Sequence, residues 1–204
     1  MRDGASITIR IHKPTTPPAG GSPVFVVYHG GGFTIGGLND ETILCRQWVE
    51  HFGGVAVNVD YRLAPEHPFP VPIHDAYDAL KWTAANLDTL HVDASKGFLV
   101  GGVSAGANFT AVLSHLYRDD KLSPPLTGLY ISVPAILYPE AVPDKYKSMY
   151  LSRTQNTNDP ILSPGAHAFF KGTTNLHPYL TINPSHHSNS THQPPTTNVT
   201  TSYS

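Results

Sequence analysis

The sequence predicts an α/β fold: a mostly parallel sheet with helices on both faces. Three observations carry this expectation. Short Val- and Phe-rich runs are apolar at nearly every position, longer segments between them place apolar residues at helical spacing, and the two kinds alternate along the chain. Right-handed crossovers follow from that alternation.

Ser6 to His12, SITIRIH, alternates Ile7, Ile9 and Ile11 with polar neighbours, the period of a half-buried strand. A Pro- and Gly-rich loop, KPTTPPAGGSP, separates it from VFVVYHG, Val24 to Gly30, which reads as a strand buried on both faces. VAVNVDYR (Val55 to Arg62) and GFLVGG (Gly97 to Gly102) have the same character, and LTGLYISVPAI (Leu126 to Ile136) supplies a further strand. Helices are predicted over Asn39 to Phe52 from Ile43, Leu44 and Trp48, and over Ile73 to Leu90 from Ala76, Leu80 and Ala84. A third runs over Ala105 to Tyr117, from Phe109, Val112, Leu113 and Leu116.

The 204 residues fit one domain with a sizeable core. A formal net charge of -2 with 14% charged residues offers no basic field for nucleic acid, so that partner is not expected. Cys45 is the one cysteine; it excludes an internal disulfide and reads as core filling. The N-terminus, MRDGASITIR, lacks the apolar centre of a signal peptide. No run approaches the roughly 18 to 20 apolar residues that span a bilayer, so a soluble, cytoplasmic chain is expected. Asn108, Asn189 and Asn198 head N-x-[ST] triplets, which matter only in a secreted chain.

From Gly172 to Ser204 there is no Asp, Glu, Lys or Arg, and Thr, Ser, Asn, Pro and His dominate without helical or strand period. The expected organisation is therefore a domain over 1–171 and a low-complexity, disordered tail over 172–204. The His-rich PSHHSNSTH has neither a Cys nor a spaced carboxylate, so no metal site is expected.

The chemistry-bearing stretch is FLVGGVSAGANF, Phe98 to Phe109. A G-x-S-x-G sequence between a buried strand and a helix makes a nucleophile elbow, so tight that the serine backbone is strained and its neighbours must be small. Gly102 and Gly106 supply that room, and Ser104 projects above the carboxyl ends of the strands, where open α/β sheets bind ligands. The pattern alone is short and frequent. A second element stands beside it: YHGGGFTIG, Tyr28 to Gly37, an HGGG-type loop whose backbone N–H groups line an oxyanion hole in lipases and esterases. Replacing Gly31 or Gly32 with Val is expected to remove any ester hydrolysis and leave the fold largely intact, because what these positions require is close backbone approach to the oxyanion.

With DYRLAPEHPFPVPIHDAYDALKW, Asp60 to Trp82, as a third element, the chain resembles the hormone-sensitive-lipase-like branch of the α/β-hydrolase fold, which includes carboxylesterases. The likeness runs from about Asp3 to Ser163. The resemblance implies that Ser104 is the nucleophile, that the backbone N–H groups of Gly31, Gly32 and Ala105 form the oxyanion hole, and that His29 shapes the glycine loop. It implies a structural role for Asp60 to Pro70 beneath the site, a small-molecule ester as substrate, and no cofactor. Val103 stands where the family usually has Asp or Thr. The chain begins near the strand that follows the family's N-terminal cap helices, and the family's C-terminal strands are not recognisable.

The family's triad acid and His follow the serine in that order, and neither motif is present. The triad acid and base therefore stay unassigned. Asp159, in NDPILSP, is the last acid and resembles a segment between strands; His167, His177, His186, His187 and His192 follow no convincing strand. His74 and Asp75 sit at a helix start and read as capping residues. The change of character after about Phe170 suggests a gene model or splice form that leaves the family pattern there. Three readings stay open: a serine ester hydrolase, a non-catalytic binder of small ligands, and a fragment that does not fold alone because a sheet edge is left exposed.

Overall fold

A computed structural model describes residues 1–174 and 199–203. In chain order the elements are β1 (Ile7–His12), β2 (Val24–Tyr28), α1 (Thr42–Phe52), β3 (Val55–Asp60), α2 (Val71–Ala85) and α3 (Leu87–Leu90). They continue with β4 (Phe98–Val103), α4 (Ala105–Asp119), β5 (Gly128–Ser132), α5 (Ser152–Gln155), α6 (Pro164–Thr174) and β6 (Val199–Tyr203). The strands form one sheet in the order β5-β4-β2-β3-β1-β6. β1 runs antiparallel to β3, and the other described pairs are parallel.

Strand alternation explains how the core divides. Every residue of β2 is buried. Val24, Val26 and Tyr28 join the main core with Ile9, Val57, Val59, Leu80, Phe109 and Leu113, while Phe25 and Val27 on the opposite face pack with Cys45 and Ala56. The Tyr28 hydroxyl donates to the Ala76 carbonyl at 2.8 Å, tying β2 to α2 inside the main core. In β1, Ile7, Ile9 and Ile11 are buried and Thr8 and Arg10 half-buried, as the period of two requires.

Local chemistry moved several boundaries. α1 begins at Thr42 and not Asn39, because the preceding residues make a turn: the Asp40 carboxylate accepts from Gly37 N, and the Leu38 carbonyl accepts from Arg10, Thr42 and Asn58. The helix expected over Ile73 to Leu90 starts at Val71 and breaks at Asn86, whose side-chain amide donates to the Trp82 carbonyl. β5 stops at Ser132 because Val133 takes φ 44°.

The expected boundary at 171/172 falls inside a helix. α6 continues through Thr174, with the Thr173 and Thr174 hydroxyls donating to carbonyls of Phe169 and Phe170. Val199–Tyr203 pairs in parallel with β1 at the sheet edge. The remainder of the tail expected over 172–204 lies outside the described residues. At the other edge, β5 leaves Leu129, Tyr130 and Ile131 about 40 to 50% exposed. No helix among the described residues is long and apolar enough to cross a membrane.

Candidate active site

The strand order decides the site. β2 and β4 are neighbours with Tyr28 opposite Gly102, so the segments leaving their carboxyl ends, His29 to Gly37 and Ser104 onward, emerge side by side. Ser104 has φ 53° and ψ -108°, a conformation that costs a non-glycine residue about 1 to 3 kcal/mol. Its side chain makes no capping hydrogen bond to α4. Its amide donates to the Ser132 carbonyl at 2.9 Å, which anchors the elbow to the end of β5.

The flanking glycines are dictated by space. A Cβ on Gly106 would lie 2.1 Å from the Tyr28 carbonyl oxygen, and one on Gly102 would lie 2.5 Å from the same atom. A Cβ on Gly30 would lie 3.5 Å from Ser104 Cβ, which places the glycine loop directly against the elbow. Gly31 has φ 108°, and its carbonyl accepts from Thr34 and Ile35 N at 3.0 Å; a Cβ there would be 2.0 Å from the Ile35 carbonyl oxygen. Gly32 has φ 59° and faces a side chain: its Cβ would be 2.5 Å from the Phe170 ring. The expectation that Val at either position leaves the fold largely intact is corrected at both: a residue with a Cβ is strained at these φ values, and at Gly31 the clash is moreover with backbone.

Ala105 is the first residue of α4, so its N–H is one of the donors a helix N-terminus leaves without an intrahelical partner. Among the described residues, none accepts a hydrogen bond from the N–H groups of Gly31, Gly32 or Ala105. Donors of this kind at the positive end of a helix dipole favour a developing negative charge.

His29 is fully buried and stacks on Tyr61, ring centroids 4.2 Å apart and 6° from parallel. Its Nδ1 lies 2.7 Å from the Gly30 carbonyl, so the neutral ring donates there; the Tyr61 hydroxyl donates to the His29 carbonyl at 2.8 Å. Burial lowers the His29 pKa below 6.5, opposed by the Gly30 hydrogen bond and by Asp60 and Asp40. Because the folded pKa is depressed, the unfolded chain binds more protons below pH 6.5. Stability is full above that pH and falls as pH drops below it, by up to about 1.4 kcal/mol per pH unit for this group. Urea unfolding from pH 7.5 to 5.5 is expected to show a steeper acid loss in wild type than in His29→Gln; parallel profiles would remove His29 as a contributor.

The Asp60 to Pro70 segment supports the loop from below. Ala64 N donates to the Phe33 carbonyl at 2.9 Å, and Phe33 and Tyr61 pack on Phe109 at 5.0 and 4.9 Å. Asp75 is not a cap. It is fully buried, accepts from Arg62 N, Nε and Nη2, and so fixes the backbone between β3 and α2. The pair holds the Arg62 guanidinium protonated well above its ordinary range. Asp75→Ala is expected to lower the unfolding free energy by about 2 to 3 kcal/mol, because Arg62 loses its buried carboxylate and three hydrogen bonds and keeps only the more exposed Asp3, 2.7 Å from Nη2. A loss under about 1 kcal/mol in urea titration would equate it with a surface ion pair.

No His or carboxylate among the described residues hydrogen-bonds the Ser104 hydroxyl. The Asp159 carboxylate instead accepts from Ile161 and Leu162 N, closing a local turn. His167 lies in α6, its pKa lowered by partial burial and by Arg153. His177, His186, His187 and His192 lie outside the described residues. Burial raises the Cys45 thiol pKa to about 12, in keeping with a core role. Among the described residues, no three His, Cys, Asp or Glu side chains form a metal-binding group.

Two features carried no signal in the sequence: Phe170 against Gly32, and the Asn108 side-chain amide donating to the Ala135 carbonyl at 2.8 Å. Both join residues whose neighbours in sequence say nothing of the partner.

A family model of the alpha/beta hydrolase fold matches residues 25–203. The versiconal hemiacetal acetate esterase of Dothistroma septosporum is 37% identical over 171 residues, which are 83% of this chain and 52% of that protein. Among solved structures, vibralactone cyclase is 33% identical with a TM-score of 0.78, covering 84% of this chain and 53% of that one. The hyperthermophilic esterase of Pyrobaculum calidifontis is 37% identical with a TM-score of 0.69, covering 80% and 51%. The chain spans about half the length of the curated relatives it matches. The elbow, the glycine loop and these matches agree: the chain belongs to the α/β-hydrolase family, on its hormone-sensitive-lipase-like branch.

Proposed function

We propose that the chain acts as a carboxylic-ester hydrolase on small-molecule esters through an acyl-enzyme on Ser104. One observation carries this reading: Ser104 is held at φ 53° beside Gly30 with its side chain withheld from the helix it begins. An ordinary helix start would use that hydroxyl as a cap. The esterases among the relatives support the same chemistry.

In this scheme Ser104 Oγ attacks the ester carbonyl, and the carbonyl oxygen takes up negative charge opposite the N–H groups of Gly31, Gly32 and Ala105. The C–O bond to the alcohol breaks and the alcohol departs protonated, leaving an acyl group on Ser104; water adds to that acyl carbon, the bond from it to Ser104 Oγ breaks, and the acid leaves as the serine oxygen takes back a proton. The serine proton needs a base, and none of the described residues that could serve touches Ser104. That observation favours a second reading, a small-ligand binder that keeps the pocket without turnover.

A fluorophosphonate probe separates the two. Labelling of wild type, lost in Ser104→Ala, supports the hydrolase. A folded wild type that stays unlabelled at generous reagent concentration supports the binder.

A further inference from the structure

The turn that follows β5 is held in a strained form. Val133 has φ 44°, a region in which a β-branched residue is an outlier, and the ring of Pro134 narrows its choices further. Its side chain is 72% exposed, so burial does not hold it there. Two hydrogen bonds reach the turn from the elbow and its helix. Ser104 N donates to the Ser132 carbonyl at 2.9 Å on one side of Val133, and the Asn108 side-chain amide donates to the Ala135 carbonyl at 2.8 Å on the other. Asn108 N itself donates to the Ser104 carbonyl at 3.0 Å, so both anchors sit on one helical turn. The Asn108 side chain is buried, and among the described residues its Oδ1 has no hydrogen-bond partner. An amide buried with one end unpaired costs stability, which points to a use for the other end.

We propose that Asn108 is a positioning residue for Ser104: by holding the Ala135 carbonyl it keeps the Val133 turn in this form, and the turn keeps the Ser132 carbonyl on the Ser104 amide. The next peptide carries the Ala105 N–H, so the same clamp sets where that donor points. The consequence for rate rests on the ester-hydrolase reading; the clamp itself rests on geometry alone. With Asn108 cut back, the turn relaxes toward ordinary φ and the Ser132 carbonyl no longer fixes the elbow. Because an oxyanion forms only in the transition state, the loss falls on kcat more than on KM.

The test compares wild type with Asn108→Ala, or with Asn108→Ser if the alanine variant does not fold, since a serine hydroxyl can turn back onto the carbonyl four residues before it. Amide hydrogen exchange followed by NMR reads the clamp without turnover. The Ser104 amide is expected to exchange about tenfold faster in the variant, while that of Leu113, buried in the same helix, keeps its wild-type rate. On p-nitrophenyl acetate, kcat is expected to fall by about tenfold with KM little changed. Val133→Asn, which accepts positive φ more readily, is expected to raise the Tm of wild type by about 2 °C and that of the Asn108 variant by less, because there the turn has already relaxed. An unchanged Ser104 exchange rate, an acceleration shared equally by Leu113, an unchanged kcat in a protein that hydrolyses the ester, or the same Tm change from Val133→Asn in both backgrounds overturns the positioning role. Failure of both Asn108 variants to fold also overturns it, by making Asn108 a residue of the core. Wild type that hydrolyses no ester while Ser104 exchange responds to Asn108 overturns the hydrolase reading and leaves the clamp standing.

Discussion

Ser104→Gly is expected to abolish ester hydrolysis and, in the same protein, to raise stability by about 1 kcal/mol. In the proposed scheme the loss of activity follows from removing the oxygen that would attack the ester carbonyl. The gain follows from the backbone. At φ 53°, ψ -108° a residue with a Cβ carries about 1 to 3 kcal/mol of strain, which glycine lacks. Against this stands the greater unfolded-state freedom of glycine, about 0.5 to 1 kcal/mol. No cap is lost, because the Ser104 side chain makes no hydrogen bond to α4. For a chain of 204 residues the net change corresponds to a Tm increase of roughly 2 to 4 °C. Ser104→Ala, which keeps the Cβ, should lose activity without that increase. A Tm for Ser104→Gly below that of Ser104→Ala would mean that the elbow holds no strain, and would remove the main structural argument for Ser104 as nucleophile.

What could be read from the residues was whatever their local order determines. Ile7, Ile9 and Ile11 declare a one-sided strand, Val24 to Tyr28 a two-sided one, and Gly102-Val103-Ser104-Ala105-Gly106 a turn that admits no Cβ at its glycines. Element ends were less legible where side chains compete for backbone groups, as at Asp40 before α1 and Asn86 after α2. Contacts set by topology were not legible at all. Nothing near Gly32 names Phe170, and nothing near Arg62 names Asp75 as a partner rather than a helix cap. The loss of charge after Lys171 suggested a tail beginning at once, yet α6 runs three residues further because Thr173 and Thr174 satisfy their hydroxyls on its own carbonyls. Charge and period measure how a segment meets water; they say little about a polar helix end tied down by Phe69.

The glycine loop gives the second large effect, and the contrast between its two glycines is the informative part. Gly31→Ala is expected to reduce kcat/KM for p-nitrophenyl acetate by at least a hundredfold and to destabilise the protein by about 2 to 3 kcal/mol. The rate loss corresponds to displacing one oxyanion donor, about 3 to 4 kcal/mol in the transition state. The stability loss has two sources: φ 108° is unfavourable for any residue with a Cβ, and that Cβ would stand 2.0 Å from the Ile35 carbonyl oxygen, a backbone atom held by the same turn. Gly32→Ala meets a side chain instead. At φ 59° it enters the left-handed region at about 1 kcal/mol, and the new methyl group meets the Phe170 ring, Cγ included at 2.6 Å, so the whole side chain must shift. Its destabilisation should still be the smaller of the two, because a side chain yields more readily than the backbone of a turn. Urea titrations of the two variants beside wild type check the order. Equal destabilisation would show that Ile35 yields as easily as Phe170, and a Gly31→Ala protein with wild-type stability and activity would take Gly31 out of the site.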